Sequence, residues 1–292
     1  MWFLATRPWS FPMTFISVTV GTLFAYFEGV FNIFLYILTL IGAILAHAGA
    51  NVLNDYYDTK HKVDMIDAPT AKYRPHPVLT GFMTLHKLGI FGAAIFSMAV
   101  AIGIYLTIIR GLLILIFAGL GFVFAVSYSG GPFKYKYKAL GELAVFFVWG
   151  PLMTLGSYYV QTGWISWKPI VTSIPIGLLV SAVLLADNMR DTDYDRKVGI
   201  KTLPIIVGKD LALKIYSILV TAPYIIVIIL VIFEILPLWC IATIITLPKS
   251  INLIRRFKVE IPENADPLTA NLTIKFGIIF LLSLLLGIFI SP

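Results

Sequence analysis

Residues 32–67 read NIFLYILTLIGAILAHAGANVLNDYYDTKHKVDMID, and the change of character near Asn51 decides the fold. The apolar run over 32–54 is long enough to cross a bilayer, which takes about 20 such residues. Its last turns then fill with amides and carboxylates: Asn51, Asn54, Asp55 and Asp58, followed by Asp64 and Asp67. Asn54 and Asp58 are four residues apart, so a helix places them on one face. The stretch is a membrane span that ends in oxygen ligands.

Further apolar runs fall at 10–27, 87–109, 111–128, 139–161, 169–187, 211–232, 235–248 and 273–290, which with 32–54 makes nine, the eighth being short. The whole chain agrees, since 59% of its 292 residues are hydrophobic and 13% charged. Soluble domains are about half apolar and a quarter charged, and disordered chains are poorer still in apolar residues. A single cysteine, Cys240, excludes a disulfide framework and a cysteine-based metal site. Met1-Trp-Phe-Leu4 lacks the basic start of a secretory signal, so the first span is expected to remain. The expectation is an all-α polytopic membrane protein: one domain over 1–292, about nine transmembrane helices, and a cytoplasmic cap over a central cavity.

Charge orients the bundle. With the N-terminus on one side, only Arg110 and Lys168 of the 22 lysines and arginines fall on the other. The positive-inside bias makes the crowded side, and the N-terminus with it, cytoplasmic. The net charge of +7 then follows from basic loops and needs no nucleic acid partner. Of the 15 acidic residues only Glu28 and Glu234 lie on the far side, a bias that the same rule does not demand.

The sixth run ends in a second cluster, Asp187-Asn188-Met-Arg190-Asp191-Thr-Asp193-Tyr-Asp195, with Asp187, Asp191 and Asp195 at i, i+4 and i+8. Four spans separate the clusters, so both emerge on one face of the membrane. Asn54 and Asn188 stand 134 residues apart, which hints at a diverged repeat with motifs at 51–67 and 187–203. Stacked carboxylates repel unless a cation neutralises them. Hard oxygen ligands suit Mg²⁺, commonly held by one or two carboxylates together with substrate phosphates. Two such faces across a cavity fit two Mg²⁺ ions and a diphosphate, with nearby Lys and Arg on the remaining oxygens. Solvated loop charge is the plainer alternative, and recurrence of the pattern at one depth on one face weighs against it.

Between the clusters, Tyr128-Ser-Gly130-Gly131-Pro132-Phe-Lys134-Tyr-Lys136-Tyr137-Lys138 breaks the fourth span and turns the chain. Its lysines serve as an ordinary basic flank, or one of them faces the cavity. Arg7-Pro8 reads as an interfacial anchor before it reads as a ligand. Trp2, Trp9, Trp164, Trp167 and Trp239 suit an interfacial belt. Tyr128, Tyr158 and Tyr159 offer π faces to a cation, although packing is the commoner role. His47 reads as a hydrogen-bonded interior histidine, with a substrate role as the alternative. No phosphate-binding Gly-rich loop, His-Glu-x-x-His or Gly-x-Ser-x-Gly occurs.

These motifs resemble the UbiA superfamily of intramembrane prenyltransferases. The likeness is greatest to its menaquinone branch, the 1,4-dihydroxy-2-naphthoate polyprenyltransferases and their animal relatives that make menaquinone-4. The first motif of that branch, Asn-x-x-x-Asp with a third Asp six residues on, is met by Asn54, Asp58 and Asp64; the 4-hydroxybenzoate branch places it four on, where this chain has Lys62. The second motif is met by Asn188, Arg190, Asp191, Asp195, Gly199, Thr202 and Leu203, and Tyr128-Ser-Gly-Gly-Pro132, Leu140-Gly-Glu142 and Gly150-Pro151 are also similar. Arg74-Pro75-His76-Pro77-Val-Leu-Thr80-Gly81 looks more like other branches and leaves the acceptor open. The likeness runs from Arg7 to about Gly208.

The resemblance implies Mg²⁺-dependent transfer of a polyprenyl group, within the lipid bilayer, from polyprenyl diphosphate to an aromatic acceptor. It implies Asn54, Asp58, Asp64, Asn188, Asp191 and Asp195 as metal ligands. Arg190, Lys136 and Lys201 would face the diphosphate, and Tyr128 the allylic cation. Two alternatives stay open: the same chemistry on 4-hydroxybenzoate, homogentisate or geranylgeranylglyceryl phosphate, and a cation-coupled transporter, which would bury its acids nearer the midplane.

Overall fold

Within a bilayer, backbone N–H and C=O groups have no water to bind, so apolar runs close their hydrogen bonds as helices. A computed structural model describes residues 1–66, 69, 75–131 and 133–290; Asp67, Lys72, Arg74 and Pro132 lie outside them. The nine runs become α1 (Phe11–Phe27), α2 (Ile33–Lys60), α3 (Leu85–Arg110), α4 (Leu112–Val126), α5 (Gly141–Thr162), α6 (Trp167–Arg190), α7 (Lys209–Ile232), α8 (Leu238–Val259) and α9 (Ala265–Ile290). Among the described residues eight are long and apolar enough to cross a membrane, and α4, with 15 residues, is the short one. This corrects the expectation that the eighth would be short. Charged residues such as Lys249 and Arg255 ended its apolar run, whereas the helix itself continues to Val259. No strand occurs among the described residues, only an isolated bridge between Lys138 and Lys201.

Small residues let these helices approach closely, as expected where lipid removes the hydrophobic drive between them. A Cβ on Gly21 of α1 would lie 2.0 Å from the Thr154 carbonyl oxygen on α5, and one on Gly277 of α9 would lie 2.3 Å from Ile16 of α1. In α5 a wide turn spans Val148–Leu152, where Pro151 offers no N–H. Ser17 Oγ donates to the Trp149 carbonyl there at 2.6 Å, tying the kink to α1. Ile16, Tyr216, Phe257, Phe276 and Phe280 belong to the larger buried core, built mainly from α1 and α6–α9. A smaller one lies where α2 meets α3. Between these cores runs a cavity whose polar end receives the ends of α2 and α6.

Candidate active site

The end of α2 is shaped by a tight reversal. Asp58 O accepts the N–H of Val63 at 2.7 Å and of Asp64 at 3.2 Å, with Lys62 in the left-handed region at φ 60°. The turn leaves Lys62 exposed and brings Asp64 to the cavity wall. It gives a physical reason for a third acid six residues on from Asp58, since the fourth residue points away. The end of α6 repeats the device. Asp195 follows Asp191 by one further helical turn, Gly199 is left-handed at φ 78°, and Ile200 N–H returns to Asp195 O at 2.9 Å.

Side chains of the first motif are held by donors. Asn54 Nδ2 donates to Asp58 Oδ2 at 2.8 Å and to Ser129 Oγ at 2.5 Å, while its Oδ1 accepts from Arg7 Nη2 at 2.9 Å. Arg7 also pairs with the buried Asp55. Lys136 Nζ reaches Asp58 Oδ2 at 2.5 Å, and Tyr137 Oη donates to Asp58 Oδ1 at 2.5 Å. Asp58 is 1% exposed and its carboxylate accepts from three side chains. Lys136 arrives because the segment after α4 folds back: Tyr135 and Lys136 donate their N–H groups to the Ser127 and Tyr128 carbonyls at 3.1 and 3.0 Å. Its Nζ stands 5.8 Å over the Tyr128 ring. Burial pulls the Lys136 ammonium down, but Asp58 together with Tyr128, Asp64 and Tyr137 outweighs it and holds the group well above the usual lysine range.

The second motif carries more acid. Arg190 Nε and Nη2 reach the two Asp191 oxygens at 2.6 and 2.8 Å, Nη2 also reaches Asp187 at 2.5 Å, and Nη1 pairs with Asp266 from α9. Asn188 Nδ2 donates to Glu142 Oε1 on α5 at 2.8 Å. Burial pushes the Asp195 carboxyl up to about 7, with Lys136 opposing and Asp191 assisting. It raises Asp191 to about 6 against the pull of Arg190. Tyr194 Oη donates to the Val63 carbonyl at 2.8 Å, joining the segments that follow α6 and α2.

Asn54, Asp58, Asp64, Tyr128, Lys136, Asn188, Asp191 and Asp195 all line one cavity of about 470 Å³, together with Asp187 and Asp266. Its remaining walls are mostly apolar side chains of α2–α6, such as Phe96, Leu106, Phe117 and Val180. Arg190 sits behind the wall with its guanidinium on three carboxylates. Lys201 is exposed and away from the wall, its backbone bridging Lys138. Arg7 corrects the sequence reading. Instead of anchoring at an interface, it turns inward from a left-handed backbone at φ 54° and holds Asn54 and Asp55. Tyr158 is fully buried and bonded to Glu28, so its role is packing. Trp2, Trp9, Trp164, Trp167 and Trp239 are each more than 40% exposed, and Trp9 also lines the cavity.

His47 lies within a closed chain of hydrogen bonds. Trp149 Nε1 donates to Thr14 Oγ1 at 3.2 Å, Thr14 meets His47 Nδ1 at 2.8 Å, and His47 Nε2 meets Ser10 Oγ at 3.2 Å. Both ring nitrogens are engaged, as the interior reading expects. His76, on the segment before α3, behaves differently. Its Nδ1 accepts the Val78 and Leu79 N–H groups at 3.2 and 3.3 Å, so in the neutral ring Nε2 carries the proton, 3.3 Å from Thr59 Oγ1 and 3.5 Å from Asp64. Ligand atoms of Asp55, Asp64 and His76 lie within 4.8 Å of one another, yet Asp55 already pairs with Arg7 and His76 presents a proton. The oxygen donors at the cavity end fit a hard divalent cation better.

Ser129, Tyr137, Glu142 and Asp266 escaped the sequence-based choice of site residues, and each acts through a partner far along the chain. Asp187, read on one face with Asp191 and Asp195 but not chosen, pairs with Arg190 three residues on. Glu142 and Asp266 carried one signal, an acid near the start of an apolar helix.

Carboxylates and amides gathered at one end of an apolar-walled cavity, among helices long enough to cross a membrane, are the arrangement of an intramembrane enzyme. The sequence pattern of the UbiA prenyltransferase family matches residues 14–289, and the chain belongs to that family. It is 30% identical over 293 residues to UbiA prenyltransferase domain-containing protein 1 of Danio rerio, an alignment covering 97% of this chain and 83% of that protein. The Homo sapiens protein of the same name is 30% identical over 296 residues, with the same coverage. Among solved structures, a UbiA homologue from Aeropyrum pernix K1 superposes with a TM-score of 0.71 at 18% identity, covering 94% of this chain and 97% of that one. A homologue from Archaeoglobus fulgidus, solved with GPP and Mg²⁺, gives 0.61 at 16% identity over 96% and 99%. The protein is a multi-pass membrane prenyltransferase.

Proposed function

We propose that the chain transfers a polyprenyl group from polyprenyl diphosphate to 1,4-dihydroxy-2-naphthoate, a step of menaquinone biosynthesis, in a Mg²⁺-dependent reaction at the cytoplasmic face. The observation that carries this reading is the meeting of two acid motifs and Lys136 at one end of an otherwise apolar cavity. A charged end suits the diphosphate head and an apolar bore suits the prenyl tail. The A. fulgidus homologue of the same fold, solved with GPP and Mg²⁺, supports the donor class. The reversal at Lys62, which returns Asp64 to the cavity, supports the naphthoate-type spacing.

Asn54, Asp58, Asp64, Asn188, Asp191 and Asp195 would hold Mg²⁺ directly or through water, Asn54 with an oxygen it already shares with Arg7, and with Asp187 and Asp266 beside them. Bound there, the metal supplies positive charge to the leaving diphosphate. Lys136 adds donors of the same sign where charge develops. Arg190 fixes Asp187, Asp191 and Asp266 relative to one another. The Tyr128 face stabilises the allylic carbon as positive charge develops on it, and the apolar walls keep water from capturing it. The electron-rich ring of the acceptor then forms the new C–C bond, and its carboxyl group leaves as CO₂.

The test is product formation from radiolabelled geranylgeranyl diphosphate, with and without Mg²⁺, using dihydroxynaphthoate, 4-hydroxybenzoate, homogentisate and geranylgeranylglyceryl phosphate in parallel. A Mg²⁺-dependent product from the naphthoate alone is expected. Product from another acceptor would overturn the substrate and keep the chemistry. Failure to bind the diphosphate would overturn both and favour a transporter.

A further inference from the structure

The two motifs hold their asparagines by the amide nitrogen but leave the amide oxygens in different states. Arginine only donates and a carboxylate only accepts, so the neighbours fix each amide. Asn54 Oδ1 is taken by Arg7 and its Nδ2 by Asp58 and Ser129. Asn188 has its Nδ2 on Glu142 Oε1 at 2.8 Å. Its Oδ1 is left without a protein partner among the described residues, on a side chain that lines the cavity.

Glu142 lies in the first turn of α5 and is only 7% exposed. Ser181 Oγ of α6 donates to its backbone carbonyl at 2.7 Å, so the residue is fixed against the helix that carries Asn188. Its Oε1 holds Asn188, and its Oε2 is buried with no partner. A carboxylate kept in such a place for one side-chain bond is costly unless that bond matters.

We propose that Glu142 is a positioning residue, which holds the Asn188 amide with its oxygen free as a neutral ligand to the divalent cation held by Asp191 and Asp195. The inference rests on the metal reading given under the proposed function. Groups that orient metal ligands typically change affinity by about 10–100-fold when removed. Without Glu142 the amide is free to turn its nitrogen toward an acid, as Asn54 does with Asp58.

The test uses the purified full chain in detergent and Mn²⁺ as the probe, with affinity read by electron paramagnetic resonance and no substrate present. Glu142→Ala is expected to weaken Mn²⁺ binding by about tenfold, and Glu142→Gln, whose amide oxygen still accepts from Asn188, to recover most of it. On an Asn188→Ala background, Glu142→Ala is expected to add nothing, because its effect passes through Asn188. An unchanged affinity in Glu142→Ala, or an equal loss on both backgrounds, would overturn the proposal. Thermal midpoints without Mn²⁺ separate a lost fold from a lost ligand; should Glu142→Ala not fold, Glu142→Met fills the space without an acceptor and carries the same comparison. Asp191→Ala is the control. If that variant binds Mn²⁺ normally, the metal reading itself has failed; if it loses binding while Glu142→Ala does not, only the positioning role has.

Discussion

The ends of α2 and α6 meet the same cavity with opposite balances of charge. At α2, Asp55, Asp58 and Asp64 face Arg7 and Lys136, and Tyr137, Asn54 and Ser129 complete the hydrogen bonding. At α6, Asp187, Asp191 and Asp266 share Arg190 as a close partner, and Asp195 lines the cavity beside them. The first motif is neutralised largely by the chain itself, and the second carries a surplus of acid in a buried place. A similar reversal of the backbone therefore ends in two electrostatic settings, and the second makes the stronger demand for a cation.

Four predictions test that contrast, in order of expected size. Asp191→Ala should lower prenyl transfer by about 10³-fold, since it removes a group that holds charge opposite the leaving diphosphate. Its thermal midpoint should change little; a large drop would mean that the second motif is structural. Asp58→Ala should lose activity and also stability, because it strands the half-buried Lys136. Breaking such a pair costs about 3 kcal/mol, and adding Lys136→Met should restore the thermal midpoint but not the activity. An Asp58→Ala protein as stable as its parent would remove the distinction between the motifs.

The third prediction is a pH dependence. Protonated carboxyls do not ligate, and Asp195 and Asp191 bind protons with midpoints of about 7 and about 6. Mn²⁺ affinity should therefore fall as pH falls, by about 20-fold between pH 8 and pH 6 if both must release their protons to bind metal. A flat profile would place the ligands elsewhere. The fourth compares the two turns. Gly199 takes its positive φ without strain, whereas Lys62 at φ 60° does not. Lys62→Gly should raise stability by about 0.5 kcal/mol after the added chain entropy is counted, with activity unchanged. Loss of activity would give Lys62 a role in chemistry that its exposure argues against.

Much of this was legible in the sequence because it is local. Span positions follow from apolar length, and the shared face of Asn54 and Asp58, or of Asp187 and Asp191, follows from helical period. The Gly-Gly-Pro break drew attention to the three lysines after it, and the family resemblance chose Lys136 among them. What stayed hidden is carried between distant helices. Arg7 looked like a surface anchor until α1 was seen to deliver it to Asn54 and Asp55. Glu142 stood in the sequence only as part of Leu140-Gly-Glu142, and its partner became visible where α5 meets α6. Lys201 shows the converse, since a cation close in sequence to the second motif stays exposed. The length of α8 was misjudged because hydropathy stops at the first charges, whereas the helix continues beyond them.

The glycine contacts near the middle of the bundle have a bearing on how the chain tolerates change. Gly21 and Gly277 leave no room for a methyl group against Thr154 and Ile16. A scan of all substitutions should show two intolerant layers separated by a permissive one. At the acid-lined end, variants of the second motif such as Asp191→Ala would accumulate in the membrane and be inactive. At the glycine layer, variants would be cleared by quality control before any chemistry could be measured. Inherited loss of function at these two depths would therefore call for different remedies, and only the deeper class would respond to a ligand that props the helices together.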